Sequence, residues 1–320
     1  MKKLILLLAS LSSTAVLPAQ QSSPFTGRWD LTLTPQSGNP YPQWMEVKEK
    51  DGKLEGRFQP RGGAWKEMTS IKADAGHLIV SVQPATQRAP EVIWDFTAVD
   101  KNKLTGVEKR GDTAGPTIAA ARAPGLKKPM PKAWNAPVKL FNGKDLTGWE
   151  PIGNVSNNKW IARDGELVND NPPPALGTPR GPGAANIKTT GKYQDFKLHI
   201  EVNCPEHGNS GIYLRGRYEI QVGTEGGKDP THEMGAIYSH HAAPSSVPLG
   251  LGQWTTFDVT FVGRYVTVVR DGVTIHDNVE IPGPTGGALD SNEAEPGPFF
   301  LQGDHAGVIR YRNVRIETAK

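Results

Sequence analysis

Along most of the chain, apolar and polar residues alternate one for one in short runs. Arg28-Trp29-Asp30-Leu31-Thr32-Leu33-Thr34 is one such run, and residues 77–82 and 93–96 follow the same rule. A period of two puts every second side chain on one face, as a sheet with one buried side requires. Further runs at 44–47 and 54–58, with the hairpin signal Asp51-Gly52 between them, and at 104–107 and 118–121 bring the first part of the chain to six or seven predicted strands. The sustained 3.6-residue period of a helix is missing throughout. Residues 24–122 therefore read as a small all-β unit, an antiparallel barrel or sandwich. Trp29, Trp44, Trp65 and Trp94 fit core packing better than a platform for sugars.

Periodicity then stops. Residues 123–135 are rich in proline and lysine and read as a semi-stiff linker. From 136 to 318 the alternation returns, punctuated by Asp164-Gly165 and Asp271-Gly272, both hairpin signals. Residues 196–203 and 211–222 alternate most strongly, each reading as one strand. Two proline-rich segments, 169–184 and 282–297, are predicted as long loops, the kind that rims a cleft. About ten strands with two such loops predict a jelly-roll β-sandwich, so the fold class is all-β in both units.

Composition adds constraints. Glycine (36) and proline (27) suit many short strands and turns. Cys204 is the single cysteine, so no internal disulfide framework exists. Lys2 and Lys3, an apolar run at 4–8 and Leu17-Pro18-Ala19 have the layout of an export signal over residues 1–20. The reading is thus an exported protein, periplasmic or extracellular. No other run approaches the about 20 apolar residues of a spanning helix, so no membrane span is expected. Formal net charge is +3, or +1 without Lys2 and Lys3. No basic block is interleaved with aromatics, which argues against a nucleic-acid partner.

Candidate chemistry gathers in the second unit. Read as one strand, 211–222 puts Tyr213, Arg215, Arg217, Glu219 and Gln221 on one side and apolar residues on the other. Guanidinium, carboxylate and amide groups in register suit a polyhydroxy ligand. Glu201, on the polar side of 196–203, is expected to join Arg215, Glu219 and Gln221 on a concave sheet face. His305, beside Asp304 after a strand, could serve as base, acid or metal ligand. An ordinary solvated face would carry the same residue types, so both readings stand on these residues alone. No HExxH, no Cys/His metal spacing, no Gly-x-Ser-x-Gly elbow and no phosphate loop is present.

The order of motifs is more specific. LFNGKDLTGW (140–149), DFKLHIEVN (195–203), NSGIYLRGRYEIQV (209–222), GAIY (235–238), GQWTTFDVTFVG (252–263), DGVTIHDNVEIPGPTGGALD (271–290) and LQGDHAGVIRYRNVRI (301–316) resemble the 3-keto-disaccharide hydrolase family over about 136–318. The resemblance implies a concanavalin-like jelly roll. It implies an enzyme for a small-molecule carbohydrate, a 3-keto-glycoside made by a separate sugar 3-oxidoreductase. The ketone acidifies the hydrogen on carbon 2, and β-elimination then expels the group on carbon 1, with hydration to follow. Carried onto this chain, it makes Glu219 or His305 the acid–base group. Arg215, Gln221, Tyr213 and Asn209 would bind substrate, and Glu201 and Asp304 would orient partners or hold a divalent metal cation. A non-catalytic carbohydrate-binding or surface adhesion module is the alternative, because this fold hosts both.

Overall fold

A computed structural model describes residues 23–74, 76–86, 88–174 and 183–320. The export signal read at 1–20 and the middle of the first proline-rich loop lie outside the described residues.

The first nine strands form one antiparallel meander: β1 (Gly27–Thr34), β2 (Tyr41–Lys50), β3 (Lys53–Gln59), β4 (Lys66–Glu67), β5 (Ser70–Asp74), β6 (His77–Gln83), β7 (Val92–Asp100), β8 (Lys103–Arg110) and β9 (Thr113–Arg122). β1 pairs with both β2 and β9, and the path ends at β4 on one side and β5 on the other. Only Met68 and Thr69 separate these ends. Met68 N–H donates to Gly56 O and Thr69 N–H to Ser81 O, so the sheet closes into a barrel. Closure removes the exposed edges that an open sheet would offer to other chains. β4 and β5 were not legible in the sequence because Lys66–Asp74 is mostly polar. Trp29, Trp94, Leu31, Met45 and Phe96 fill the barrel, at 1% exposure or less. Core packing is thus the role of these tryptophans. Trp44 is equally buried, but between the two units.

The second unit is a two-sheet sandwich. Its strands are β10 (Val138–Lys139), β11 (Trp149–Ile152), β12 (Trp160–Arg163), β13 (Glu166–Asn171), β14 (Asn186–Thr189), β15 (Phe196–Asn203), β16 (Asn209–Leu214), β17 (Tyr218–Gly223), β18 (Trp254–Val262), β19 (Tyr265–Arg270), β20 (Val273–Glu280), β21 (Phe300–Leu301) and β22 (Gly307–Thr318). The larger sheet runs β12-β13-β22-β15-β18-β19-β20 with β10 on β22; the smaller runs β11-β14-β21-β16-β17. Phe196, Leu198, Ile200, Phe257, Val259, Ile212, Ile220 and Val222 meet between them as one core. The hairpins expected at Asp51-Gly52, Asp164-Gly165 and Asp271-Gly272 are present, each with both residues at positive φ as a primed turn demands. No helix among the described residues is long and apolar enough to cross a membrane.

One strand assignment needs correction. Residues 211–222 are not a single strand. Arg215 (φ 52°) and Gly216 (φ 69°) turn the chain, making a hairpin of β16 and β17. Arg-Gly is a weak turn signal, and the alternation on either side hides the break. Register restores part of the expected face: Tyr213 pairs with Glu219 and Gly211 with Gln221, so these side chains share the side away from the core.

Candidate active site

A cavity of about 550 Å³ lies on that outer side of the hairpin. Its size falls within the roughly 300–1,000 Å³ usual for small-ligand sites. Asn209, Tyr213, Glu219 and Gln221 form its floor, and Gln302, Asp304 and His305 line it where the chain leaves β21. Glu225, Tyr238, Gly286 and Gly287 complete the second unit's share, and Arg61 to Gly63 of the barrel close it. Six of the eight residues singled out from sequence therefore converge: His305, Glu219, Gln221, Tyr213, Asn209 and Asp304.

Glu219 is the best-defined group. It is 3% exposed, and burial pushes its carboxyl up to about 8, with Glu225 and Asp304 adding negative potential against the hydrogen bond from Tyr213. The Tyr213 hydroxyl lies 2.7 Å from Glu219 Oε2 and 2.8 Å from the Gly286 carbonyl. The phenol has one proton and two acceptors in reach. Both contacts are satisfied when Glu219 is the neutral acid, donating to the phenol oxygen while the phenol donates to Gly286. Tyr213 is itself fixed by stacking on Phe300, with centroids 4.2 Å apart. Gly211 makes room for the acid, since a Cβ there would collide with Glu219 Oε1.

The backbone around Glu219 is equally determined. Tyr213 and Glu219 form a cross-strand pair whose main-chain groups point away from each other. Glu219 N–H takes Thr285 Oγ1 at 3.0 Å, and its carbonyl accepts from Tyr238 N–H at 3.1 Å. The GAIY stretch thus lies along the free edge of β17 and delivers Tyr238, whose hydroxyl donates to Glu225 at 3.1 Å. His232 stacks on Tyr238 at 4.5 Å and reaches Glu225 at 3.1 Å. Gln221 donates to Asn209 Oδ1 at 3.3 Å, and Gln302 Oε1 is buried without a partner among the described residues. His305 is more open, with its side chain 42% exposed and Nε2 3.8 Å from Asp304 Oδ1.

Two expected members lie elsewhere. Arg215 is fully buried behind the hairpin turn, its Nη2 donating to Gly263 O at 2.8 Å and its guanidinium over Phe261 at 5.0 Å. The turn at 215–216 ends the strand, so parity counted across it misplaced this side chain. Glu201 stands on β15, in the other sheet. Arg312 (2.7 Å) and Asn313 (2.6 Å) take its two oxygens, and they hold its carboxyl low although partial burial pulls it up. Strand parity told which side of its own sheet Glu201 faces, but not that the two sheets present their outer faces in opposite directions. Among the described residues no three His, Cys, Asp or Glu side chains are grouped to hold a metal ion. Glu201 and Asp304 are split between sheets, so these two do not meet at one site. Residues missed from sequence are Glu225, Gln302, Tyr238 and Arg61. Tyr238 and Gln302 sat inside quoted motifs, but Arg61 carried no signal at all.

Residues 136–317 match the family model of the 3-keto-alpha-glucoside-1,2-lyase-like domain, and the chain belongs to that family. A search of curated proteins gives no match. Among solved structures, one provisionally assigned as a glycosyl hydrolase from Parabacteroides distasonis is 26% identical, covering 60% of this chain and 93% of its own, at a TM-score of 0.46. A second, similarly assigned structure from that organism is 23% identical, covering 57% of this chain and all of its own, at a TM-score of 0.42.

Proposed function

We propose that the protein is an exported lyase that cleaves 3-keto-glycosides by β-elimination and then hydrates the product. The observation that carries this is Glu219, a carboxyl held neutral by burial in one cavity with the more open His305 imidazole. Elimination beside a ketone needs a base for the hydrogen on carbon 2 and an acid for the departing oxygen, and these two groups supply them.

In the forward step the His305 imidazole takes the proton from carbon 2. The electron pair forms the carbon 1–carbon 2 double bond as the carbon 1–oxygen bond breaks. The leaving oxygen takes the Glu219 proton, giving a free alcohol, a keto-glucal, a Glu219 carboxylate and a His305 imidazolium. Hydration runs the roles backward. The carboxylate accepts a proton from the water that attacks carbon 1, and the imidazolium returns its proton to carbon 2. The sum is hydrolysis, with both residues regenerated. Gln221, Asn209 and Gln302 offer amide donors for the ring hydroxyls and for the enolate oxygen. A separate oxidoreductase supplies the 3-keto group.

The test is an aryl 3-keto-glucoside with a chromogenic leaving group. Release of the aryl alcohol, absent from the unoxidised glucoside, supports elimination. Binding of both sugars with release from neither would make this a carbohydrate-binding module instead.

A further inference from the structure

The barrel does more than precede the catalytic unit: it forms one wall of the cavity. The loop between β3 and β4 is braced by Gln59, whose amide donates to Gly63 O at 2.6 Å and to Pro60 O at 3.1 Å. It is then docked onto the sandwich. Gly287 N–H donates to Arg61 O at 3.0 Å, and Trp44 Nε1 donates to Pro284 O at 2.8 Å. The contact is tight enough to need glycine, since a Cβ on Gly286 would lie 2.6 Å from Gly63 O. Gly286 is also the residue whose carbonyl meets Tyr213, the neighbour of Glu219. The wall supplied by the barrel is therefore continuous with the acid.

Among the described residues of this lining Arg61 is the one permanent cation, and Glu219, Glu225 and Asp304 are the carboxyl groups. Its guanidinium stands over the Tyr41 ring at 4.8 Å. It makes no ion pair or side-chain hydrogen bond with any described residue, whereas the interface arginines nearby are paired: Arg28 with Glu280 at 2.7 Å and Arg264 with Glu293 at 2.8 Å. A guanidinium held over a ring and left unpaired, on a lining that also carries three carboxyl side chains, has its fork of donors free for a ligand. The reacting carbons are handled by groups of the sandwich, so the part of the substrate reaching the barrel wall is the part beyond carbon 1.

We infer that the barrel loop at Arg61–Gly63 is a leaving-group subsite, and that Arg61 receives a carboxylate on the leaving group, as on a uronic acid or an acidic aglycone. The inference rests on the 3-keto-glycoside reading and names the substrate class for that site.

The experiment uses the full chain and two substrates, a 4-nitrophenyl 3-keto-glucoside and its counterpart with a carboxylate on the aryl ring. The wild-type protein favours the carboxylated substrate in kcat/KM by about tenfold, the size of one charge-assisted hydrogen bond. Arg61→Ala brings that ratio toward one and Arg61→Lys keeps part of it. The preference also shrinks with added salt, as an ionic contact at an open wall must. An equal ratio in wild type and Arg61→Ala overturns the inference while leaving the elimination reading intact. If the wild type turns over neither substrate, the elimination reading fails, and calorimetric binding of the two unoxidised aryl glucosides decides. A carboxylate preference lost in Arg61→Ala supports the subsite, and equal affinities overturn it.

Discussion

Replacing Glu219 by glutamine tests whether this carboxyl is held as a neutral acid. The amide keeps the shape and cannot ionise. In the folded protein Glu219 is pushed up to about 8 from the ordinary 4.5, chiefly by burial. A carboxyl raised on folding stabilises the native state fully below its unfolded value, and that contribution is lost as pH rises toward the folded value. From the unfolded value to pH 7 the cost is two and a half pH units at about 1.4 kcal/mol each, or roughly 3 kcal/mol. Denaturant unfolding of wild type and Glu219→Gln across pH 5 to about 8 should show the curves diverging, with the variant gaining on the wild type as pH rises. Parallel curves would refute a neutral Glu219, and with it the proton shared through Tyr213. In turnover, kcat/KM of the wild type should fall as pH rises through about 8, because the acid form is the working form. A rise through the same range would make Glu219 the base.

Other consequences are equally direct. Arg215→Ala should lower thermal stability by roughly 3 kcal/mol, since it empties a fully buried site of a hydrogen-bonded cation over an aromatic ring; an unchanged melting temperature with lost turnover would return Arg215 to the site. Gly211→Ala places a methyl where Glu219 Oε1 stands, and kcat should drop by about 10²-fold from displacement of the acid; wild-type kcat would show that Glu219 is free to work elsewhere. His305→Gln should cut kcat by about 10²–10⁴-fold with the melting temperature unmoved, because its side chain is 42% exposed. Rates within a few-fold of wild type would take His305 out of the proton transfers.

What was legible in the sequence is what depends on neighbours along the chain. Alternation in 28–34, 77–82 and 196–203 and the three Asp-Gly turns identify strands and hairpins because pleat and turn torsions are local properties. The run of motifs from 140 to 316 named the family, and the expected Glu219, Gln221, Tyr213, Asn209, Asp304 and His305 do share one cavity. Tertiary structure decided the rest. Whether Arg215 points out or in turned on two left-handed torsions at 215–216, which alternation cannot report. Glu201 and Glu219 look alike in the pattern, yet they lie on outer faces of opposite sheets, because parity orders side chains within a strand and carries nothing about which sheet the strand joins. The neutrality of Glu219 comes from burial under Gly286 and Tyr213, far apart from it in the chain or across a hairpin. Arg61 lies about 160 residues from Glu219 and reaches the cavity only because two independently cored units dock through the Trp44 and Gly286 contacts. Burial and docking are sums over residues distant in sequence, so the chemistry of this site is a property of the assembled molecule.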